Sequence, residues 1–367
     1  MNNQQTRFHA IDHLRATMIS IVMFGHALLP YTTIPRSFKD PQTHVGFDLV
    51  AVFLYGFAMP LFFVTAGFST ALIFNRKGAN GLWQNRIRRI LIPLVIAYFI
   101  LTPPTRVAYR FATNAASSGS LQAGLDAVQF ADWFHWGKAY HLWFLVSLLL
   151  YSALAIGLRR GMLRIAGDRL TVALSTSRRL LAGRWRTALL ALAVAVMMVP
   201  AYVVYGSDAT TLPMQLALFG FFLLGWLLYL HHDLLPTLQV KIWRPIAVAI
   251  AVLPLAAWST RERLMNPDDG QLAIGIIAGV SNSVLAACMT FGLLGIYQVR
   301  FNTQSAFGRY VSDASYWIFL IHFPLVIAVA GAVSVLPYSA LIKYLLTLAV
   351  VVPIVFSTYH FIVRRLT

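Results

Sequence analysis

Apolar runs long enough to cross a bilayer recur along this whole chain, and nothing else in it narrows the possible folds as far. A hydrocarbon core takes roughly 20 apolar residues per helical crossing. Ten runs meet that length, at about residues 12–31, 48–74, 87–103, 140–158, 188–205, 212–230, 244–259, 272–296, 310–332 and 340–361. Backbone polar groups must be satisfied internally in lipid, and runs this long do so as helices. The expected fold is all-α, a polytopic integral membrane protein forming one domain over residues 1–367. Composition agrees: 59% of residues are hydrophobic and 11% charged, against about 45–50% and 25% for soluble domains.

A formal charge of +17 would point to nucleic acid in a soluble protein, but here topology accounts for it. With the N-terminus cytoplasmic, 20 of the 29 Lys and Arg fall on inside segments, from Arg7 through the Arg86–Arg89 group to Arg365. Eight fall outside, Arg36, Lys39, Arg106, Arg110, Lys138, Arg261, Arg263 and Lys343, and Arg15 lies within the first span. That asymmetry predicts both termini inside and an even number of spans. The longest polar stretch, about 159–187, reads as a basic cytoplasmic loop holding a surface helix against anionic lipid. Residues 104–139 read as an outside loop ending in an interfacial aromatic cluster, Trp133, Phe134, His135 and Trp136. The first span is flanked by Asp12 and Arg15, has no small-residue cleavage site, and is expected to stay in the membrane.

Three ionisable groups enter that first span: Asp12 and Arg15, then His26. Such groups are expensive in lipid and are functional candidates. Arg15 and His26 are 11 residues apart, about 1100° of helical rotation, so they share a face and stand about 16 Å apart along the axis. They must therefore meet different parts of one long ligand, or different ligands. An arginine near the inside surface suits a phosphate, and a deeper histidine suits proton transfer near neutral pH. Two plainer uses compete: an i, i+3 pair of Arg15 with Asp12, and a histidine bonded only to a neighbouring helix.

His141, in His-Leu-Trp143-Phe-Leu, and His322, after Tyr316-Trp-Ile-Phe-Leu-Ile, also fall in apolar context. Either could touch a substrate or be structural. No pair among His26, His141 and His322 has i, i+4 spacing, and Glu262, the single glutamate, is placed outside, so no metal site is expected. Cys288 stands alone in an apolar run, which excludes an internal disulfide framework. Arg86, Arg88 and Arg89 enter the third span from the inside, where an anionic head group would wait. Asp48 could orient a histidine, pair with an arginine, or cap a helix. Pro60 should kink the second span, and the small residues after it admit a neighbouring backbone.

The ordered set Asp12-x-x-Arg15 with His26, Met59-Pro-Leu-Phe-Phe with Ala66-Gly67-Phe68, Arg86-Ile-Arg-Arg-Ile-Leu-Ile-Pro93, His141-Leu-Trp-Phe-Leu145, Phe219-Gly-Phe-Phe-Leu-Leu-Gly225, Ser312-Asp-Ala-Ser-Tyr316 to His322-Phe-Pro324, and Tyr359-His-Phe-Ile-Val-Arg364 resembles the membrane-bound acyltransferase 3 family. Within that family it is most similar to the glucan biosynthesis protein C-like branch of succinyltransferases. The match runs from about residue 8 to 365.

The resemblance implies a ten-helix enzyme of the bacterial inner membrane. It implies transfer of an acyl group, acetyl or succinyl, from cytoplasmic acyl-CoA to a hydroxyl of a glycan or related acceptor across the membrane. His26 is then the catalytic residue, with Arg15 its partner. Arg15, Arg88 and Arg89 meet the donor's phosphates, while His141, Trp143, Tyr316 and His322 shape the acceptor side. Asp12 and Asp48 are the carboxylates available to orient these groups. No bound cofactor is expected, acyl-CoA being a co-substrate, and the partners are membrane lipid and the two substrates. Where the family commonly has Ser before the glycine, this chain has Ala66. The rival class is a transporter or flippase of a lipid-linked or anionic solute, which also uses polar groups within spans.

Overall fold

A computed structural model describes residues 8–165, 168–206, 208–267, 271–303 and 305–366. Among them every regular element is helical. The principal helices are α1 (His9–Leu28), α2 (Val45–Arg86), α3 (Ile92–Ser118), α4 (Leu121–Asp126), α5 (Trp143–Ile165) and α6 (Asp168–Ala182). They continue as α7 (Arg186–Tyr205), α8 (Leu212–Leu230), α9 (Trp243–Met265), α10 (Leu272–Arg300), α11 (Ala306–Ser334) and α12 (Ala340–Thr358). The described residues contain nine helical runs long and apolar enough to cross a membrane.

The longest run, Val45–Ser118, has 74 residues and is not a single crossing. Gly78 interrupts α2 at φ 66 and ψ −174, a left-handed backbone that favours glycine. Beyond it the chain doubles back, for Arg86 Nη2 lies 2.5 Å from Thr70 Oγ1, whereas a straight helix would hold those residues about 24 Å apart. The nine runs therefore make ten crossings. The start of α1 meets the start of α11, where His13 abuts Gly308, and Tyr310 of α11 packs on Phe356 and Tyr359 at the end of α12. Both ends of the described chain thus lie at one end of the bundle, here termed proximal.

Two glycines fix the closest helix contact. A Cβ on Gly67 of α2 would stand 1.9 Å from the Phe222 carbonyl oxygen of α8, and one on Gly225 of α8 would stand 1.9 Å from that of Val64. Each backbone lies in the space the other's missing side chain leaves, the small-residue packing expected between membrane helices.

The third crossing differs from the sequence reading. Residues 104–118 are helix, not loop, and the helix stops only at Gly119, whose φ is 68. Ala108, Ala112 and Ala115 are buried on one face, and Ala112 closes against Gly331 of α11. The charges counted there as outside are neutralised: Arg106 and Arg110 stand 2.8 and 3.2 Å from Asp132, pinning the segment after α4 onto α3. The aromatics Phe130, Trp133, Phe134 and Trp136 there are exposed, as expected of an interface. Within the basic connector 159–187, α5 runs on to Ile165 and α6 docks by Ser177 on His231, 3.0 Å, and by Arg178 on Asp233. Arg7 and residues 166–167 lie outside the described residues.

At the distal end, residues 32–44 form a strap from α1 to α2. Lys343 of α12, 1% exposed, donates to Asp40 at 2.9 and 3.3 Å and to the Ser334 carbonyl at 2.7 Å. Asp48, in the first turn of α2, accepts from the Thr33 N–H at 2.7 Å, from the Thr33 hydroxyl and from Arg261 at 3.2 Å. The strap is thereby tied to α2, α9 and α12.

Candidate active site

A cavity of about 340 Å³ opens along α1 on its distal half, with Ile19, Val22, His26 and Leu29 on its wall. Helix α2 contributes Tyr55, Met59 and Pro60, the strap Arg36, the start of α5 Trp143 and Phe144, and α11 Phe319. His141, just before α5, completes the polar side. The face that carries Arg15 and His26 is therefore the face that lines the cavity, and the wall ends at Ile19, one turn short of Arg15.

Backbone carbonyls fix the protons on the histidines. His322 Nδ1 lies 2.9 Å from the carbonyl oxygens of both Ile318 and Phe319. A carbonyl can only accept, so Nδ1 bears the hydrogen, and in the neutral imidazole Nε2 is then an acceptor. His26 Nδ1, 2.9 Å from that Nε2, must be the donor. This leaves the lone pair of His26 on its Nε2, which has no protein partner among the described residues. The His26 ring stacks on His322 with centroids 5.1 Å apart, and Phe323 meets it edge-on at 4.8 Å. His141 is held in the same way, Nε2 donating to the Leu320 carbonyl at 3.1 Å. That carbonyl is free because its usual i+4 donor is residue 324, a proline without an N–H. The Nδ1 of His141 is buried without a partner.

The sequence candidates thus separate into groups. His26, His141 and Trp143 share the cavity. His322, 1% exposed, stands behind His26 and off the wall, and Tyr316 is likewise off the wall, its hydroxyl buried without a partner. Arg15 sits toward the proximal end, donating to Ser312 Oγ at 3.2 Å and pairing with Asp12 at 3.6 Å. Arg88 and Arg89 line a separate proximal recess of about 310 Å³ with Lys77, Gln84 and Asn85. Asp12 and Asp48 are engaged by arginines, and the orienting partner of His26 is an imidazole rather than a carboxylate. Among the described residues no cluster of three His, Cys, Asp or Glu is arranged to hold a metal.

Two residues enter that sequence reasoning passed over, Arg36 and Tyr55, and Arg86, expected only as one of the inside arginines, turns inward. Arg36, counted only as an outside charge, lines the cavity with His26 and has no ion-pair or hydrogen-bond partner among the described residues. Burial draws its guanidinium down from its ordinary value, and Tyr55, Tyr109 and Asp48 oppose that. Tyr55, on the same wall, has a buried hydroxyl without a partner. Arg86 faces inward by its bond to Thr70, its Nε is buried and unpartnered, and it lies near enough to Arg15 for the two charges to interact. Its signal in the sequence was its place in the Arg86–Arg89 group, which does not say which arginine turns inward.

Comparison with known proteins meets this geometry from the other side. The model of the acyltransferase 3 family, described as an acyltransferase domain, matches residues 8–360. Glucans biosynthesis protein C of Escherichia coli O139:H28 is 24% identical over 368 residues, covering 98% of this chain and 92% of the relative. The protein of the same name from Salmonella agona is 24% identical over 371 residues, with the same coverage. No solved structure matches. A family match that spans all ten crossings and takes in the cavity, its histidines and the proximal arginines identifies this chain as a membrane acyltransferase, a member of the acyltransferase 3 family.

Proposed function

We propose that the protein moves an acyl group, acetyl or succinyl, from acyl-CoA to a hydroxyl of a glycan or related acceptor, with His26 as general base. The observation that carries this reading is the free Nε2 of His26 on the wall of a cavity, with its proton held on Nδ1. The acceptor enters the distal cavity, and His26 Nε2 takes the hydroxyl proton as that oxygen attacks the thioester carbonyl. The carbon–sulfur bond then breaks, and the proton passes from His26 to the departing thiolate, giving free CoA. Arg36 and Tyr55 place a positive charge and a free donor on the same wall, where negative charge building on the carbonyl oxygen is stabilised.

The donor approaches from the proximal end, taken as cytoplasmic from the charge asymmetry. Arg15 and Arg86 in the bundle, with Lys77, Arg88 and Arg89 in the recess, are its phosphate ligands. On this reading the enzyme works in a bacterial inner membrane, with both termini inside and the acceptor on the far face.

The test is release of free CoA by the purified protein in detergent. Release that depends on acceptor and disappears in His26→Ala, with thermal unfolding unchanged, is expected. Turnover retained in His26→Ala would remove His26 from the chemistry. A protein that carries an anionic solute across vesicles unchanged and consumes no thioester would be a transporter.

A further inference from the structure

The histidine pair assigns a role to His322 that neither binding nor packing describes. We propose that His322 is the positioning residue of His26: it holds His26 in the one tautomer whose Nε2 can accept a proton from substrate. This rests on His26 being the base, but the tautomer follows from geometry alone.

An isolated neutral histidine exchanges its proton between the two ring nitrogens, and with the proton on Nε2 it would present the cavity a donor instead of a base. Here the choice is made three atoms away. The carbonyls of Ile318 and Phe319, both 2.9 Å from His322 Nδ1, hold the proton there. His322 Nε2 is left an acceptor, and at 2.9 Å it claims the proton of His26 Nδ1. His322 is 1% exposed, and no carboxylate is its partner among the described residues. Burying an unpaired cation is expensive, so the neutral form is the one that fits.

The same contact acts during turnover. When His26 has taken the acceptor's proton it is a cation in an apolar cavity, and its Nδ1–H still donates to His322 Nε2. An aspartate does this in the Ser-His-Asp arrangement. A neutral imidazole gives the orientation without a permanent charge, which is cheaper in a membrane interior. His322 cannot also grip the acceptor, because it stands behind His26 and off the cavity wall. Rotation of the His26 ring is resisted on its flanks by Phe323 at 4.8 Å and Tyr55 at 6.0 Å, so the hydrogen bond sets the proton and the aromatics set the plane.

The experiment has two arms. In the first, the wild-type protein is labelled with ¹⁵N-histidine in detergent, and the His26 resonances are assigned by their loss in His26→Ala. An unprotonated Nε2 and a protonated Nδ1 at neutral pH are expected; a proton on Nε2 overturns the proposal whether or not the His322 variants fold.

In the second arm, His322→Leu removes the acceptor, while His322→Gln places an amide oxygen about where Nε2 was. His322→Leu should lower kcat by about 10²-fold or more, the scale of general-base assistance, with KM for acceptor nearly unchanged. His322→Gln should recover to within about tenfold of wild type. Equal activity of the two variants, or a loss appearing in KM rather than kcat, overturns the proposal. If the wild-type protein releases no CoA with any acceptor, the function reading fails and the first arm still decides the tautomer.

Discussion

Replacing Gly67 by alanine is the sharpest test of how the bundle holds its cavity open. The added Cβ would stand 1.9 Å from the Phe222 oxygen and 2.8 Å from its carbonyl carbon. Both are main-chain atoms, so no side chain can swing aside. Restoring ordinary contact at about 3.4 Å requires α2 and α8 to separate by about 1.5 Å, which also loosens the reciprocal contact of Gly225 with Val64. Overpacking in a well-filled interior costs about 1–3 kcal/mol, and a clash with main chain on both partners belongs at the upper end or above. Tyr55 lies 12 residues along the same helix, about 18 Å away, so the shift is carried toward the cavity wall. A 1 Å misplacement at a reacting centre costs about 10²-fold in rate. Gly220→Ala is the control on α8, because a Cβ there meets nothing within 4 Å and alanine gains up to about 1 kcal/mol of helix propensity. Gly67→Ala should unfold at lower SDS fraction or temperature than Gly220→Ala and release CoA far more slowly. The combination Gly67→Ala with Gly225→Ala should cost less than the two singles together, since both demand the same displacement. A Gly67→Ala protein as stable and active as Gly220→Ala would refute the interlock.

Two ion pairs whose carboxylates lie outside the crossings give further expectations. Lys343→Met leaves Asp40 buried without its cation, a loss of up to about 3–5 kcal/mol; burial already raises the Asp40 carboxyl above its ordinary value against the pull of the Gln42 N–H and Lys343. A carboxyl raised in the folded state binds its proton there first, so the defect should shrink as pH falls through the folded value, measured by detergent unfolding midpoints, and a defect constant with pH would refute this. Asp132 has the opposite sign: burial would raise its carboxyl, but the Arg106 hydrogen bond, the Gln129 N–H and the charge of Arg110 outweigh that and hold it below the usual range. Its contribution is present above the unfolded value and lost as pH falls through the folded one. Hydrogen-exchange protection of residues 119–139 should fall in that acid window in wild type, and should already be low and pH-independent there in Asp132→Asn.

The crossings were legible because lipid imposes a length and a composition on each helix, and those are written locally. What was misread was the stretch 104–118, where Arg106, Arg110 and the Pro103-Pro104 pair look like a helix's end. Their charges are answered by Asp132, more than twenty residues on, and no local pattern announces that pairing. The turn at Gly78 was readable as a break between two apolar runs, but the inward face of Arg86 depends on how the chain doubles back to Thr70.

The site was half legible for a related reason. Periodicity along one helix put Arg15 and His26 on one face, and the structure keeps them there because α1 is continuous from His9 to Leu28. The roles of partners on other helices depend on atoms, not residue types. His141 and His322 are both buried histidines in apolar runs, yet one lines the cavity and the other stands behind the base. Pro324 is the clue that separates them: without its N–H the Leu320 carbonyl is left for His141, while the carbonyls of Ile318 and Phe319 turn His322 toward His26. The His322-Phe-Pro324 segment, one of those that carry the resemblance in the sequence, is thus the piece of backbone that sets two histidines. Substituting that proline should disturb His141 before it disturbs the His26–His322 pair.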